Sequence, residues 1–139
     1  MDLNLGTAAM SDDAFIQAFE ACQLDPAGFH HADHLRLAWL YVQRHGARAA
    51  EARLLEGIST FAQRAGAPQK FNYTATIAWT RLVAAAGRKS NSCGSFHEWI
   101  KTHSHLLNKH LLNEHYSAEK LESSEARRGW FEPDLKPLD

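Results

Sequence analysis

Apolar residues recur along this chain at helical spacing, and no stretch alternates with period two over the length of a strand. Ser11-Asp12-Asp13 offers a small oxygen-bearing cap with acids in the first turn, and Phe15, Ile16, Phe19 and Cys22 follow it, predicting a helix over 12–23. Asp25-Pro26-Ala27-Gly28 ends that helix, because a residue before proline avoids the α region and glycine supports a turn. The next block, 31–45, is apolar on most sides through Leu35, Leu37, Ala38, Trp39, Leu40, Tyr41 and Val42. Such a helix is packed on two or more neighbours, and Gly46 is placed to stop it.

Leu54, Leu55, Ile58, Phe61, Ala62 and Ala65 make one stripe over 47–65, broken by Gly66-Ala67-Pro68. Ala75, Ile77, Ala78, Trp79, Leu82, Val83 and Ala86 predict a helix over 72–87, followed by a polar loop from Gly87 to Gly94. Ser95-Phe96-His97-Glu98 reads as a capping box. The fifth helix that it opens carries Phe96, Trp99, Ile100, His103, Leu106 and Leu107, and runs on to His110 and Leu111. One or two short helices are expected near 118–128. Pro133 and Pro137 keep the tail extended, with Leu135 and Leu138 placed to pin it against the bundle.

The expected fold is therefore all-α: a compact antiparallel bundle of about five helices with short C-terminal helices and an extended tail. Residues 1–10 have no period and read as a flexible leader, leaving 11–139 as a single helical domain. A chain of 139 residues that is 45% hydrophobic can bury a core without a metal or a disulfide. Its net charge of -1 gives no field to steer DNA, RNA or an anionic membrane, so nucleic acid and membrane are not expected partners. Cys22 and Cys93 stand far apart and outside any metal-binding spacing. With no signal peptide evident at the start and no apolar run near the ~20 residues of a membrane span, a cytoplasmic protein is expected.

Histidine changes this picture, with nine in the chain. Three fall in Phe29-His30-His31-Ala32-Asp33-His34, at the start of the second helix. His30 and His34 are four apart and His31 and His34 three apart, spacings that share a helical face and can share a divalent metal if other ligands join them. His31, His34 and Asp33 form a candidate acid–base or catalytic set, and His30 with His34 a candidate metal pair. The bland alternative is that Asp33 complements the helix dipole and the histidines only decorate the turn. His103 or His110, on the fifth helix, is a candidate for the missing ligand, whereas His97, His105 and His115 look more exposed. Arg36 needs a carboxylate or an anionic ligand, with Asp33, Glu20 and Asp134 as internal candidates. Asn72, Tyr73, Thr74 and Thr76 put polar groups at the start of the fourth helix. Asn72, Tyr73 or Thr76 would face the histidines if that helix packs on the second, and otherwise Asn72 caps the helix while the threonines bond to the preceding turn. Arg36, Asn72 and Tyr73 are thus the candidate ligand-binding residues.

The run from Phe29 through Asp33-His34-Leu35-Arg36-Leu37-Ala38-Trp39-Leu40-Tyr41 resembles a family of small bacterial helical proteins with no assigned activity. So does the C-terminal stretch from His115-Tyr116-Ser117 through Ala126-Arg127-Arg128 and Trp130 to Pro133-Asp134-Leu135-Lys136-Pro137-Leu138. The resemblance implies a shared fold. Where those relatives often carry a His-Glu pair, this chain has Asn72-Tyr73, which removes half of any site that such a pair completes. The expected function is a small-molecule or divalent-metal site at the start of the second helix. The alternative is a non-enzymatic helical interaction module or homodimer, suggested by the aromatic load of Trp39, Trp79, Trp99 and Trp130.

Overall fold

The computed structural model describes residues 7, 9–88 and 94–138, the side chain of Arg88 excepted. Among these residues there is no strand, and the helices are α1 (Asp12–Glu20), α2 (His31–His45), α3 (Ala47–Arg64), α4 (Tyr73–Arg88), α5 (Phe96–Thr102), α6 (Ala118–Leu121) and α7 (Ser124–Arg128). Cys93 and most of the loop from Gly87 to Gly94 lie outside the described residues.

The all-α expectation holds, and α2 is its centre. Leu35, Leu37, Ala38, Trp39, Leu40 and Tyr41 are all buried, and α2 packs on α3, α4 and α5. Only Gly46 separates α2 from α3, at φ +86°, a backbone conformation that side-chain-bearing residues avoid. Trp39 and Trp99 lie in the core with Trp79 and Trp130 packed against it. Leu107 and Leu135 are the exposed large hydrophobic residues among those described.

Helix α1 ends earlier than its apolar pattern suggests, and the reason is a turn that closes twice in the protein. After α3, Gly66 N–H donates to the Gln63 carbonyl and Ala67 N–H to the Ala62 carbonyl, with Gly66 at φ +77°. After α1, Cys22 N–H donates to Phe19 and Gln23 N–H to Ala18 in the same arrangement, with Cys22 at φ 57°. Both are Schellman closures, and the left-handed position that glycine fills in one is held by a cysteine in the other.

The largest departure is the fifth helix, expected to continue to residue 111. It stops at Thr102 and gives way to single 3-10 turns at Ser104–Leu107 and Leu111–Glu114. The cause lies in two side chains. Thr102 Oγ1 donates to the Trp99 carbonyl at 2.9 Å, and His103 Nδ1 lies 3.0 Å from the same oxygen. His103 N–H bonds instead to Ile100, so the α ladder is lost there.

The C-terminal segment is strapped to the bundle. Thr74, expected to bond to its own preceding turn, instead donates to the Gly129 carbonyl at 2.6 Å and accepts from Phe131 N–H at 3.2 Å. Tyr116 OH donates to the Phe131 carbonyl at 2.6 Å. His115, expected at the surface, is buried, and its Nδ1–H points at the carbonyls of Lys136 and Pro137. Leu138 packs against the core, whereas Leu135 is held through its N–H to the His115 carbonyl and leaves its side chain exposed.

Two stability measurements follow. Cys22→Gly relieves a left-handed residue and raises unfolding free energy by about 0.5–1 kcal/mol, while Gly66→Ala lowers it by about 1 kcal/mol. Denaturant unfolding checks both, and a destabilised Cys22→Gly would contradict the shared closure. Thr74→Val removes the hydroxyl that serves the half-buried Gly129 carbonyl and Phe131 N–H and costs about 1–2 kcal/mol, whereas Thr74→Ser stays close to wild type.

Candidate functional site

Asp33 sets the geometry of the site from below. Its carboxylate accepts from His30 N–H at 2.8 Å and from the Thr7 hydroxyl. These bonds satisfy a backbone donor at the helix start and complement the dipole there. Helix α2 accordingly begins at His31, and His30 is its extended N-cap, at φ −102° and ψ 177°.

That one-residue boundary separates the two histidine pairs. His30 lies outside the helix, is exposed, and lines no cleft with His34. The candidate metal pair His30/His34 therefore lacks the shared helical face that its spacing suggested. His31 and His34, both inside α2, do share a face and open together into a cleft of about 200 Å³. Among the described residues, no three His, Cys, Asp or Glu side chains are gathered so as to hold a metal ion.

Three helix faces wall the cleft, each at three- and four-residue spacing: His31, His34 and Ala38 from α2; Leu54 and Ile58 from α3; Ala75, Thr76, Trp79 and Thr80 from α4. Lys70, Phe71 and Asn72 complete it from the turn before α4. Asn72 and Thr76 thus face the histidines as anticipated. Asn72 also caps α4, its Oδ1 accepting from Ala75 N–H at 3.0 Å and its Nδ2 donating to the Leu121 carbonyl at 2.8 Å. Thr76 donates to the Asn72 carbonyl and Thr80 to the Thr76 carbonyl, which leaves both hydroxyls only as acceptors.

Several candidates stand elsewhere. Asp33 does not line the cleft, its oxygens being engaged by His30 and Thr7. Tyr73 does not line it either. Arg36 turns to the other side of α2, where it pairs with Asp12 at 2.8 Å, donates to the carbonyls of Thr7 and Met10, and lies over the Phe15 ring. None of Asp33, Glu20 or Asp134 is its partner. These bonds also hold Thr7 and Met10, from the expected leader, against α2. His103 stacks on Trp99 at 4.6 Å and His110 is exposed, so neither joins His31 and His34. Lys70 and Phe71 open the polar stretch at the start of the fourth helix but carry no role in the sequence reading, Trp79 figures there only in the aromatic load, and Thr80 not at all. The 72–76–80 and 75–79 spacings, running from the cap of α4 into the helix, carry the signal for Trp79 and Thr80.

The two imidazoles are not equivalent. His31 Nε2 lies 2.9 Å from the Leu106 carbonyl, so Nε2 bears the proton and Nδ1 is left as the acceptor of the neutral ring. The Trp79 ring meets it edge-on at 4.5 Å. Burial lowers the His31 pKa, opposed by the Leu106 carbonyl and assisted by Lys109. His34 is exposed at the cleft, with the Phe29 ring 4.5 Å from its own, and no group among the described residues hydrogen-bonds to its imidazole. Loss of surrounding water, aided by His31 and opposed by Asp33, pushes its pKa down to about 4. Near pH 7 the cleft therefore holds two neutral imidazoles, one anchored by a hydrogen bond and one with no hydrogen-bond partner among the described residues.

The depressed His34 pKa makes stability pH-dependent. The unfolded chain binds this proton near 6.5 and the folded chain only near 4, so the contribution is whole above pH 6.5 and is lost as the pH falls toward 4. NMR of the ring should find His34 uncharged at about pH 5.5, and His34→Gln should flatten the fall in Tm between about pH 6.5 and 4.5. A His34 ring that titrates above pH 6 would contradict the site as described.

Among known proteins, no family model matches the chain, no curated protein is similar to it, and no solved structure resembles it.

Proposed function

We propose that the protein binds a small molecule in the cleft between α2, α3 and α4, with His34 as the principal polar contact. The observation that carries this reading is the His34 imidazole at the wall of a cleft, with no hydrogen-bond partner among the described residues; its lowered pKa keeps the ring neutral near pH 7. A ring in that state donates from one nitrogen and accepts at the other. His31 Nδ1 and the acceptor oxygens of Thr76 and Thr80 add further polar points around it, and Trp79, Leu54 and Ile58 supply apolar wall. A few convergent polar groups in an otherwise apolar recess are the usual composition of a ligand site.

The chemistry open to this arrangement is general acid–base, with His34 accepting a proton and His31, held in one tautomer by Leu106, positioning the ligand. Asp33 acts through the helix start rather than on the ligand. No helix among the described residues is long and apolar enough to cross a membrane. A cytoplasmic setting with reduced thiols is part of the same reading.

A fragment library of a few hundred small molecules, followed through the His34 ring resonances, tests the proposal. Fragments should shift those resonances in the wild type. They should lose binding in Thr76→Trp, whose indole fills the cleft, while its thermal melt stays cooperative. A library in which no member perturbs His34 would remove the reading.

A further inference from the structure

A second cleft, of about 330 Å³, adjoins the first and shares His34, Ile58, Lys70 and Phe71 with it. Its remaining wall is apolar, chiefly Phe29, Phe61, Ala62 and Ala65. The aromatic rings hold one another in place: Phe29 lies 4.9 Å from Phe61 and 4.5 Å from the His34 ring, centroid to centroid. The chamber is thus built by packing within the protein and needs no ligand to form it.

The charges around the two clefts have one sign. No aspartate or glutamate lines either cleft, and Lys70 is the one Lys or Arg that lines both. Lys70 is exposed and has no ion-pair partner among the described residues. His34 lines the same two clefts and as a neutral ring can donate one N–H.

We propose that the joined clefts take a small monocarboxylate, its apolar body against Phe29, Phe61 and Phe71 and its carboxylate between Lys70 and His34. The inference rests on the small-molecule reading above and names the ligand class. One ammonium and one neutral N–H match a single negative charge. A phosphate dianion calls for more cationic donors than these walls hold. A cationic ligand would meet Lys70 with no carboxylate to offset it, and an uncharged one would leave Lys70 unpaired. A chamber of about 330 Å³ is at the small end of the ~300–1,000 Å³ range of ligand pockets, so the body is one ring or a short chain rather than a nucleotide or a long acyl chain.

Calorimetric titration with four probes that share one body tests the class: 3-phenylpropionate, 3-phenylpropan-1-ol, 3-phenylpropylamine and 3-phenylpropyl phosphate. The acid should bind about three- to tenfold more tightly than the alcohol, a modest factor because Lys70 is solvent-exposed. The amine should bind more weakly than either, and the phosphate no better than the acid. Lys70→Gln should erase the preference for acid over alcohol and leave the alcohol unchanged. Ala62→Trp should remove both by filling the chamber, with Ala65→Trp on the same wall used if the first variant does not fold. Alcohol or amine binding as tightly as the acid, or an acid preference that survives Lys70→Gln, would overturn the carboxylate and leave the small-molecule site standing. A phosphate preferred over the acid would assign a phosphoryl ligand instead. Binding of none of the four, while other fragments still shift His34, overturns this proposal alone; silence from every fragment overturns both readings.

Discussion

The structure turns on the carboxylate of Asp33. By accepting from His30 N–H and the Thr7 hydroxyl, it fixes where α2 begins, and the start of a helix fixes which side chains share a face. One residue earlier, and His30 would lie above His34. As it stands, His31 takes that place and His30 is left at the surface. The same short acid, at the same positive end of the helix, also ties Thr7 onto α2, where Arg36, three residues further on, donates to the Thr7 carbonyl. The buried face of α2 and the polar wall of the cleft are therefore consequences of one capping interaction.

A second local competition fixes the proton of His31. Thr102 and His103 both reach for the Trp99 carbonyl, and α5 ends there. In the 3-10 turn that follows, the Leu106 carbonyl faces His31 Nε2. Had α5 continued, that oxygen would have been drawn into the helical ladder and the His31 tautomer would have had no anchor. Two side chains at the end of α5, Thr102 and its C-cap His103, thus influence the proton on a ring some seventy residues earlier, by freeing a backbone acceptor.

Much of the fold was legible in the sequence because it depends on local pattern. The bounds of α2, the stop at Gly46, the Asn72 cap and the break after Ala65 all have their causes within a few residues. The end of α5 was not legible, since the apolar stripe runs on in register from Phe96 to Leu111 and hydrophobic spacing does not register a side chain competing for a carbonyl. Nor was the partner of Arg36: Asp12 lies 24 residues away and reads locally as a first-turn acid. Of the site, His31, His34, Asn72 and Thr76 were visible as chemistry-bearing residues at helix starts. Lys70 and Phe71 lead into the same polar stretch as Asn72 and Thr76, but nothing in its local pattern gives them a place beside the histidines. Their importance comes from α3 and α4 closing around that stretch, which is tertiary.

Thr74 bears on the order in which the chain assembles. Its hydroxyl joins residues separated by 55 and 57 positions, donating to one and accepting from the other. Contacts of such separation carry a high loop-closure cost until the intervening chain is compact. The α2–α3 pair, joined by a single glycine, carries almost none. Loop closure therefore favours the α2–α3 pair over the C-terminal strap, whose bonds to Thr74 become cheap to form only once the helices between them are packed.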